Sequence, residues 1–195
     1  MVNKLDHEHE CPFDIVLYDI IDTHLHVYHA LYITPNMVTT FGLIFGIASA
    51  YNILLHNFGL AALFFAIAYY MDCVDGKLAR KYSQFSVFGD YYDHFSDIFK
   101  MIVILYALYM TNPTRFIWTV PVFCLLVIGV LFFIGCQEKI YDDTSSSYQS
   151  IFKRMVPDSI DPRTCIQYAK HAGCGTSIFV VVLIIFWWRS AYRSK

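Results

Sequence analysis

Residues 71–97 read MDCVDGKLARKYSQFSVFGDYYDHFSD and place four acids at the ends of two apolar segments. The acids are Asp72, Asp75, Asp93 and Asp97. An isolated carboxylate in a membrane-crossing helix is costly, about 2.5–3.5 kcal/mol on insertion scales. Acids in such helices usually face the interior of the bundle and mark a functional site. The stretch therefore predicts a site between two membrane helices.

The spacing of these acids places them in pairs on two helix faces, since each residue advances a helix by about 100°. The first face carries Asp72, Asp75, Gly76 and Ala79. The second face carries Ser86, Gly89, Asp93 and Asp97. Packed side by side, the faces form a pocket whose negative charges need cations between them. Hard oxygen ligands select Mg²⁺, Mn²⁺ or Ca²⁺, and two such ions about 3.5–4 Å apart clamp phosphoryl groups during displacement.

Ordinary salt bridges are the alternative explanation for the acids, because the sequence supplies nearby cations, namely Lys77, Arg80, Lys81 and Lys100. Two glycines weigh against that explanation. Gly76 and Gly89 each cost a helix about 1 kcal/mol relative to alanine. Glycine is useful where a ligand must approach the backbone closely. The glycines therefore favour a ligand site.

The composition indicates that lipid surrounds most of the chain. Of 195 residues, 57% are hydrophobic and 15% are charged, whereas soluble domains are about 25% charged. Three runs contain no Asp, Glu, Lys or Arg, namely 37–71, 116–137 and 171–188. A spanning helix needs roughly 20 mostly apolar residues. The predicted fold is all-α, a polytopic transmembrane helical bundle of five to six spans with an N-terminal interfacial amphipathic helix.

One membrane-embedded domain is predicted over residues 13–190, between a disordered polar tail at 1–12 and a short tail at 191–195. The mixed polarity of residues 13–31 suits an interfacial helix, and a soluble helix packed on the spans is the alternative. Spans are expected at about 37–55, 60–80, 116–136 and 174–188, and a further helix that begins near Ser86 is expected to enter the membrane at about Asp97 and leave it near Met110.

Residues 137–172 are predicted to form a polar loop, and the side of the membrane that each end occupies depends on it. Lys77, Arg80 and Lys81 predict that the acidic site faces the cytoplasm. With five spans, the C-terminal cations fall on the opposite side, which the positive-inside rule disfavours. A sixth crossing within 137–172 would remove the conflict.

The pattern Asp-x-x-Asp-Gly-x-x-Ala-Arg, then eight residues, then Gly-x-x-x-Asp-x-x-x-Asp spans residues 72–97 and resembles the signature of the CDP-alcohol phosphotransferase family. All eight fixed residues over its 26 positions match. Residues 33–39, ITPNMVT, also resemble the turn before the family's first span. The resemblance covers about residues 13–110 and extends faintly to the last span. It implies a transferase that moves a phosphate-linked group from a CDP-alcohol to an acceptor alcohol, releasing CMP.

The resemblance also implies a role for each motif residue. Asp72, Asp75 and Asp93 are similar to the family's ligands for Mg²⁺ or Mn²⁺, in a two-metal site. Asp97 looks like the general base that takes the proton of the attacking hydroxyl, while also lying near a metal. The residues expected to contact the nucleotide and its diphosphate are Gly76, Ala79, Arg80, Ser86 and Gly89. The family usually has six spans, which leaves the fold of 137–172 open.

Two substrate arrangements share this chemistry. Either CDP-choline or CDP-ethanolamine donates to diacylglycerol, or CDP-diacylglycerol donates to a small polar alcohol such as serine, glycerol phosphate, inositol or inositol phosphate. Asp93-His94 followed by Asp97 resembles choline and ethanolamine phosphotransferases, which favours the first arrangement. His94 and Lys100 are candidates for the acceptor site. His94 lies about 100° off the carboxylate face, and Lys100 could simply balance the acids.

Other functions fit the sequence less well. An ion channel or transporter could use an acidic path, but it has no use for the Gly76-x-x-Ala79-Arg80 element. An inactive scaffold would not need all four aspartates. The net charge of −2 provides no basic field for nucleic acid. The expected partners are the CDP-alcohol, lipid substrates, membrane lipid and, as in many family members, a second copy in a homodimer.

The six cysteines show no paired metal spacing, and several lie in apolar runs, where a free thiol behaves as a small hydrophobe. Disulfides between them are an option that the sequence does not support.

Overall fold

A computed structural model describes residues 8–141, 149–157 and 159–192 of the chain. The regular elements in these ranges are all helical. In chain order they are α1 (Pro12–Ala30), α2 (Pro35–Leu54), α3 (Phe58–Lys81), α4 (Val87–Thr111), α5 (Pro113–Tyr141), the 3₁₀ helix η1 (Gln149–Met155), α6 (Pro162–Ala169), the 3₁₀ helix η2 (Lys170–Ala172) and α7 (Cys174–Tyr192). The all-α prediction is confirmed.

Five apolar helical segments of the described chain are long enough to cross a membrane. They are Pro35–Leu54, Phe58–Lys81, Val87–Thr111, Pro113–Ile140 and Pro162–Trp188. This agrees with the predicted polytopic bundle of five to six spans. The fourth segment is longer than expected because Gln137 and Glu138, which suggest a helix end in the sequence, are buried within α5.

Capping residues set the ends of the helices that carry the acids and their neighbours. Thr34 precedes α2 and accepts a hydrogen bond from the backbone N–H of Met37, while Pro35 occupies the first turn, where its missing N–H costs nothing. Ser86 caps α4 in the same way and accepts from the N–H of Gly89 at 2.9 Å. The chain reverses between α3 and α4 at Ser83, which adopts φ 53°.

The described residues fall into two compact units. The first contains residues 17–118 and 178–192, and the second contains 8–16, 119–141, 149–157 and 159–177. The prediction of a single domain over 13–190 stays a prediction.

In the first unit, α2 packs closely against both α3 and α4. Two glycines one turn apart make this possible. A Cβ on Gly42 would lie 3.3 Å from the backbone oxygen of Ala68 in α3, and a Cβ on Gly46 would lie 2.6 Å from Cγ of Lys100 in α4. Small residues at a spacing of four let membrane helices approach closely. Helix α2 therefore brings the two acid-bearing helices to one place.

Helix α1 contributes to the first unit through an apolar cluster and an ion pair. The cluster consists of Ile21, Leu25, Val38, Cys73, Val74 and Leu78. Lys77 of α3 has no exposed surface, and its ammonium donates to the carboxylate of Asp22 and to the backbone oxygen of Tyr18. A buried ammonium requires such partners. Residues 17–30 of the predicted interfacial helix thus pack on α3, while the interfacial placement itself stays a prediction.

In the second unit, the stretch predicted as a polar loop, 137–172, contains the end of α5, η1, α6 and η2, with residues 142–148 and 158 outside the described chain. Phe133, Cys136, Val156, Cys165, Ile166 and Ala169 form its apolar cluster. Asp161 caps α6 by accepting from the N–H and the hydroxyl of Thr164. These bonds hold the pKa of the Asp161 carboxyl below its usual value. Of the predicted tail at 1–12, the structure describes residues 8–12, and Glu10 and Cys11 are buried.

We expect Asp22→Asn to destabilise the protein, because it leaves the buried ammonium of Lys77 without a charged partner. A lost hydrogen bond to a buried charged group costs about 1–3 kcal/mol. The melting temperature in detergent should fall, whereas Asp19→Asn, an exposed position on the same helix, should leave it unchanged. Equal melting temperatures for the two variants would contradict the importance of this ion pair.

Candidate active site

Carboxylates from two helices meet in the first unit. One oxygen each from Asp72 and Asp75 of α3 and from Asp93 of α4 lie within 4.8 Å of one another. Asp93 also belongs to a second group, in which one ligand atom each of Asp93, His94 and Asp97 lies within the same 4.8 Å limit. The structure therefore brings together all four aspartates that the sequence singles out.

Thr39 of α2 orients one of these acids. Its hydroxyl lies 2.6 Å from Oδ2 of Asp75 and 3.1 Å from the backbone oxygen of Pro35, so it can donate to either. Both Thr39 and Asp75 are buried, with 4% and 5% exposure. The sequence analysis assigns Thr39 no role. The available signal was its place at the end of residues 33–39, the segment that resembles the turn leading into the family's first span and that here includes the start of α2.

Lys100 links the two acid-bearing helices. Its ammonium lies 2.7 Å from Oδ1 of Asp97 on α4 and 3.2 Å from Oδ1 of Asp72 on α3. The side chain is 8% exposed, and its stem passes over Gly46, which has no side chain to obstruct it. Lys100 thus supplies one positive charge between two acids of opposite helices.

The other cations near the motif do not neutralise the cluster. Lys77 and Lys81 both pair with Asp22 of α1. Within the described ranges, the lysine that forms ion pairs with this cluster is Lys100, and it pairs with two of the four aspartates, Asp72 and Asp97. One ammonium for four carboxylates leaves an excess of negative charge, so ordinary salt bridges account for only part of the cluster.

Two buried polar atoms beside the acids have no hydrogen-bond partner among the described residues, Oδ1 of Asp93 and Nε of Arg80. Buried polar atoms are usually paired, and exceptions call for an explanation such as a ligand. Carboxylate oxygens from three residues form a donor set that suits a hard divalent cation, so these residues fit Mg²⁺ or Mn²⁺. The guanidinium of Arg80 suits a phosphate group.

At each of the two motif glycines, side chains come close to the helix backbone. A Cβ on Gly76 would lie 3.3 Å from Nη1 and 3.4 Å from Nη2 of Arg80, so the missing side chain gives the guanidinium room over the helix. A Cβ on Gly89 would lie 2.8 Å from Oδ1 of Asn36 and 2.8 Å from Oγ of Ser86. Gly89 therefore lets the first turn of α4 approach the first turn of α2. Asn36 is a neighbour that the sequence analysis does not identify.

The remaining predicted residues lie around this pocket. Ala79 is partly buried on α3, and Ser86 is exposed, with its hydroxyl engaged in capping α4. The imidazole of His94 lies beside the acids despite its angular offset, because Nδ1 is 3.9 Å from Oδ2 of Asp93. Nε2 lies 3.9 Å from Oδ1 of Asp90, one turn earlier. The roles assigned to these residues stay predictions.

Ser96 is a further buried polar residue that the motif does not include. It lies on α4 next to Asp97, it has no exposed surface, and its hydroxyl has no partner among the described residues. Nothing in its sequence context distinguishes it from a serine packed between membrane helices.

The five apolar helical segments indicate a multi-pass membrane protein, and the clustered carboxylates offer ligand atoms for a metal ion. The chain belongs to the CDP-alcohol phosphatidyltransferase family, whose pattern matches residues 32–192. The family resemblance seen in the sequence is thereby confirmed.

Two characterised relatives are similar to part of the chain. Archaetidylinositol phosphate synthase of Pyrococcus horikoshii is 28% identical over 111 residues, which is 57% of this chain and 58% of that protein. CDP-diacylglycerol–serine O-phosphatidyltransferase of Bacillus subtilis is 30% identical over 97 residues, which is 50% of each chain. This chain therefore spans about half the length of the curated relatives it matches. No solved structure matches it.

We expect Gly46→Ala to disturb the site, because the new methyl group would lie 2.6 Å from Cγ of Lys100. Overpacking of this kind costs about 1–3 kcal/mol, and displacement of Lys100 should also reduce transferase activity. The matched control is Gly59→Ala in α3, where an added Cβ has no neighbour within 4 Å. Thermal unfolding and activity are measured for both, and an unchanged Gly46→Ala protein would contradict the close packing of α2 on α4.

Proposed function

We propose that the chain transfers a phosphatidyl group from CDP-diacylglycerol to a small polar alcohol, with release of CMP. The observation that carries the proposal is the meeting of Asp72, Asp75 and Asp93, from two helices, within 4.8 Å in a chain of this family. Candidate alcohols are serine, glycerol phosphate, inositol and inositol phosphate.

The relatives favour this arrangement over CDP-choline or CDP-ethanolamine with diacylglycerol, which the His94 pattern favours in the sequence. One relative is named for CDP-diacylglycerol and serine, and the other for a lipid with an inositol phosphate headgroup. Moreover, His94 lies 3.9 Å from carboxylates of Asp90 and Asp93 on its own helix. These neighbours account for the histidine without a choline or ethanolamine group.

Asp72, Asp75 and Asp93 are proposed to hold a divalent cation, Mg²⁺ or Mn²⁺, and Asp93 with Asp97 could hold a second. When bound, such ions would offset the negative charge of the diphosphate and keep its reacting phosphate in line. Thr39 would keep Asp75 in its ligating orientation through the 2.6 Å hydrogen bond. This support from a neighbouring helix is typical of metal-ligating carboxylates.

Arg80 is proposed to bind the diphosphate through its guanidinium, whose Nε has no partner among the described residues. Gly76 leaves the guanidinium free to move over the helix. Once the diphosphate is held, the acceptor oxygen attacks the β-phosphorus, a new P–O bond forms, and the bond from that phosphorus to the bridging oxygen breaks. CMP leaves with the bridging oxygen.

Asp97 is proposed to take the proton of the attacking hydroxyl. Its side chain is 44% exposed, compared with 22% for Asp72 and 31% for Asp93. An acceptor alcohol can therefore reach Asp97 more easily than it can reach the other acids. Lys100 holds this carboxylate at 2.7 Å, which limits its rotamers before the alcohol arrives.

The acidic pocket is proposed to face the cytoplasm. Because Lys77 is buried against α1, the charges that bear on orientation at this end of α3 are Arg80 and Lys81. Lysine and arginine at the ends of spans are enriched on the cytoplasmic side. A homodimer remains a prediction from the family.

We expect Asp97→Asn to lower CMP release by about 10²–10⁴-fold, the usual contribution of a general base, and Asp72→Asn to abolish it. Purified protein in detergent is assayed with CDP-diacylglycerol and each candidate alcohol. Asp90→Asn, an exposed acid on the same helix, is the control for loss of one negative charge. Full activity in either site variant would remove the role assigned to that residue.

Chelation of divalent cations should abolish CMP release, and Mg²⁺ or Mn²⁺ should restore it, because four carboxylates cannot bind a diphosphate without cations. The same assay compares CDP-diacylglycerol with CDP-choline and CDP-ethanolamine plus diacylglycerol. Turnover of CDP-choline or CDP-ethanolamine alone would show that the chain transfers from that donor to diacylglycerol instead. Binding of CDP-alcohols without CMP release would indicate an inactive scaffold.

A further inference from the structure

Two cysteines of the second unit meet in its interior. Sγ of Cys136, near the end of α5, lies 2.8 Å from Sγ of Cys165, in the first turn of α6. Both residues are buried, with 0% and 7% exposure. They are 29 positions apart in the sequence, so the contact is created by the fold and has no signature in the cysteine spacing.

The distance is too short for two thiols that merely pack together. A thiol is a weak donor and a weak acceptor, so an S–H···S contact gives little force to draw the sulfur atoms inside their ordinary separation. A covalent S–S bond is about 2.0 Å long. The two sulfurs therefore lie close enough for a bond to form with a small movement of the side chains.

A metal does not explain the pair. Among the described residues, the groups of three or more acids, histidines or cysteines that could share an ion are those around Asp93, and neither cysteine belongs to them. Structural zinc sites use four ligands. Two sulfurs alone do not make such a site.

Two other contacts hold the same segment against α5, and one more orders the first turn of α6. A Cβ on Gly135 would lie 2.5 Å from the backbone oxygen of Phe152, so η1 rests directly on the helix backbone. The ammonium of Lys139 donates to the backbone oxygen of Val156 at 2.6 Å. The N–H of Cys165 donates to the backbone oxygen of Asp161 in the first turn of α6. The thiols are thus presented to each other by a packed framework.

We propose that Cys136 and Cys165 are a redox pair that closes a disulfide between α5 and α6. The oxidant is a small disulfide of the glutathione type. Cys165, which keeps some exposure, attacks it first to form a mixed disulfide and release one small thiol. Cys136 then attacks Sγ of Cys165, the protein disulfide forms, and the second small thiol leaves. Two protein S–H bonds and one small-molecule S–S bond are exchanged for one protein S–S bond and two small thiols.

The cross-link ties the segment between the two cysteines to the end of α5. It restricts the unfolded chain, which is the main source of stability from a disulfide. It also makes the position of α6 depend on the thiol–disulfide balance of its surroundings. Disulfides of proteins in reducing compartments are usually transient and regulatory, and reduction would release this tie while Gly135 and Lys139 keep their contacts.

The test is a map of disulfides in purified full-length protein after treatment with oxidised glutathione and quenching with an alkylating reagent in denaturant. Trypsin should release residues 164–170, which contain Cys165, and residues 116–139, which contain both Cys124 and Cys136. We expect these two peptides to be linked in the oxidised sample and separate after reduction. The link should persist in Cys124→Ala and disappear in Cys136→Ala.

Thermal unfolding gives a second readout. Oxidation should raise the melting temperature of the wild type and of Cys124→Ala by several degrees, and it should have no effect on Cys165→Ala. Alkylation of both Cys136 and Cys165 after oxidation would overturn the proposal, as would a link from Cys165 to any other cysteine. Because peptide 116–139 contains two cysteines, fragmentation of the linked peptide from the wild type assigns the bond to Cys124 or to Cys136, so a variant that fails to fold does not prevent the test.

Discussion

Mutual repulsion of carboxylates in a medium of low dielectric is the constraint on which the first unit depends. Asp72, Asp75 and Asp93 approach within 4.8 Å, where unscreened like charges repel strongly. The chain offsets part of this cost with two devices, the hydroxyl of Thr39 on Asp75 and the ammonium of Lys100 between α3 and α4. The remaining negative charge favours the binding of a cation.

Helix α2 carries no charged residue, yet it organises the charged site. Gly42 and Gly46 let it approach α3 and α4, and Thr39 reaches Asp75 from its first half. The stem of Lys100 passes over Gly46 to reach both acid-bearing helices. Packing, hydrogen bonding and charge balance are thus coupled in one helix, so a change of one methyl group at Gly46 acts on the electrostatics of the site.

The motif residues divide into the acids that meet between the helices and those that let the backbone pack closely. Gly89 belongs to the second kind, since its missing side chain leaves space for Asn36 where α2 and α4 pack together. Gly76 serves Arg80, whose guanidinium lies over it. His94 lies near two acids of its own helix, Asp90 and Asp93.

The sequence by itself determined the helical class, the family and the four aspartates. Apolar runs and a fixed spacing of acids are local properties, so they can be recognised in the sequence alone. Only the tertiary structure decided which groups of other helices contact those acids and offset their charge. Thr39, Asn36 and Gly46 lie 36 to 54 positions from the residues of α3 or α4 that they contact, and no periodicity within one helix reports a contact between helices. The structure likewise shows that Lys77 pairs with Asp22 rather than with the clustered acids. It also places the sulfur atoms of Cys136 and Cys165 in contact. Such pairings follow from how helices pack, which is a property of the assembled chain.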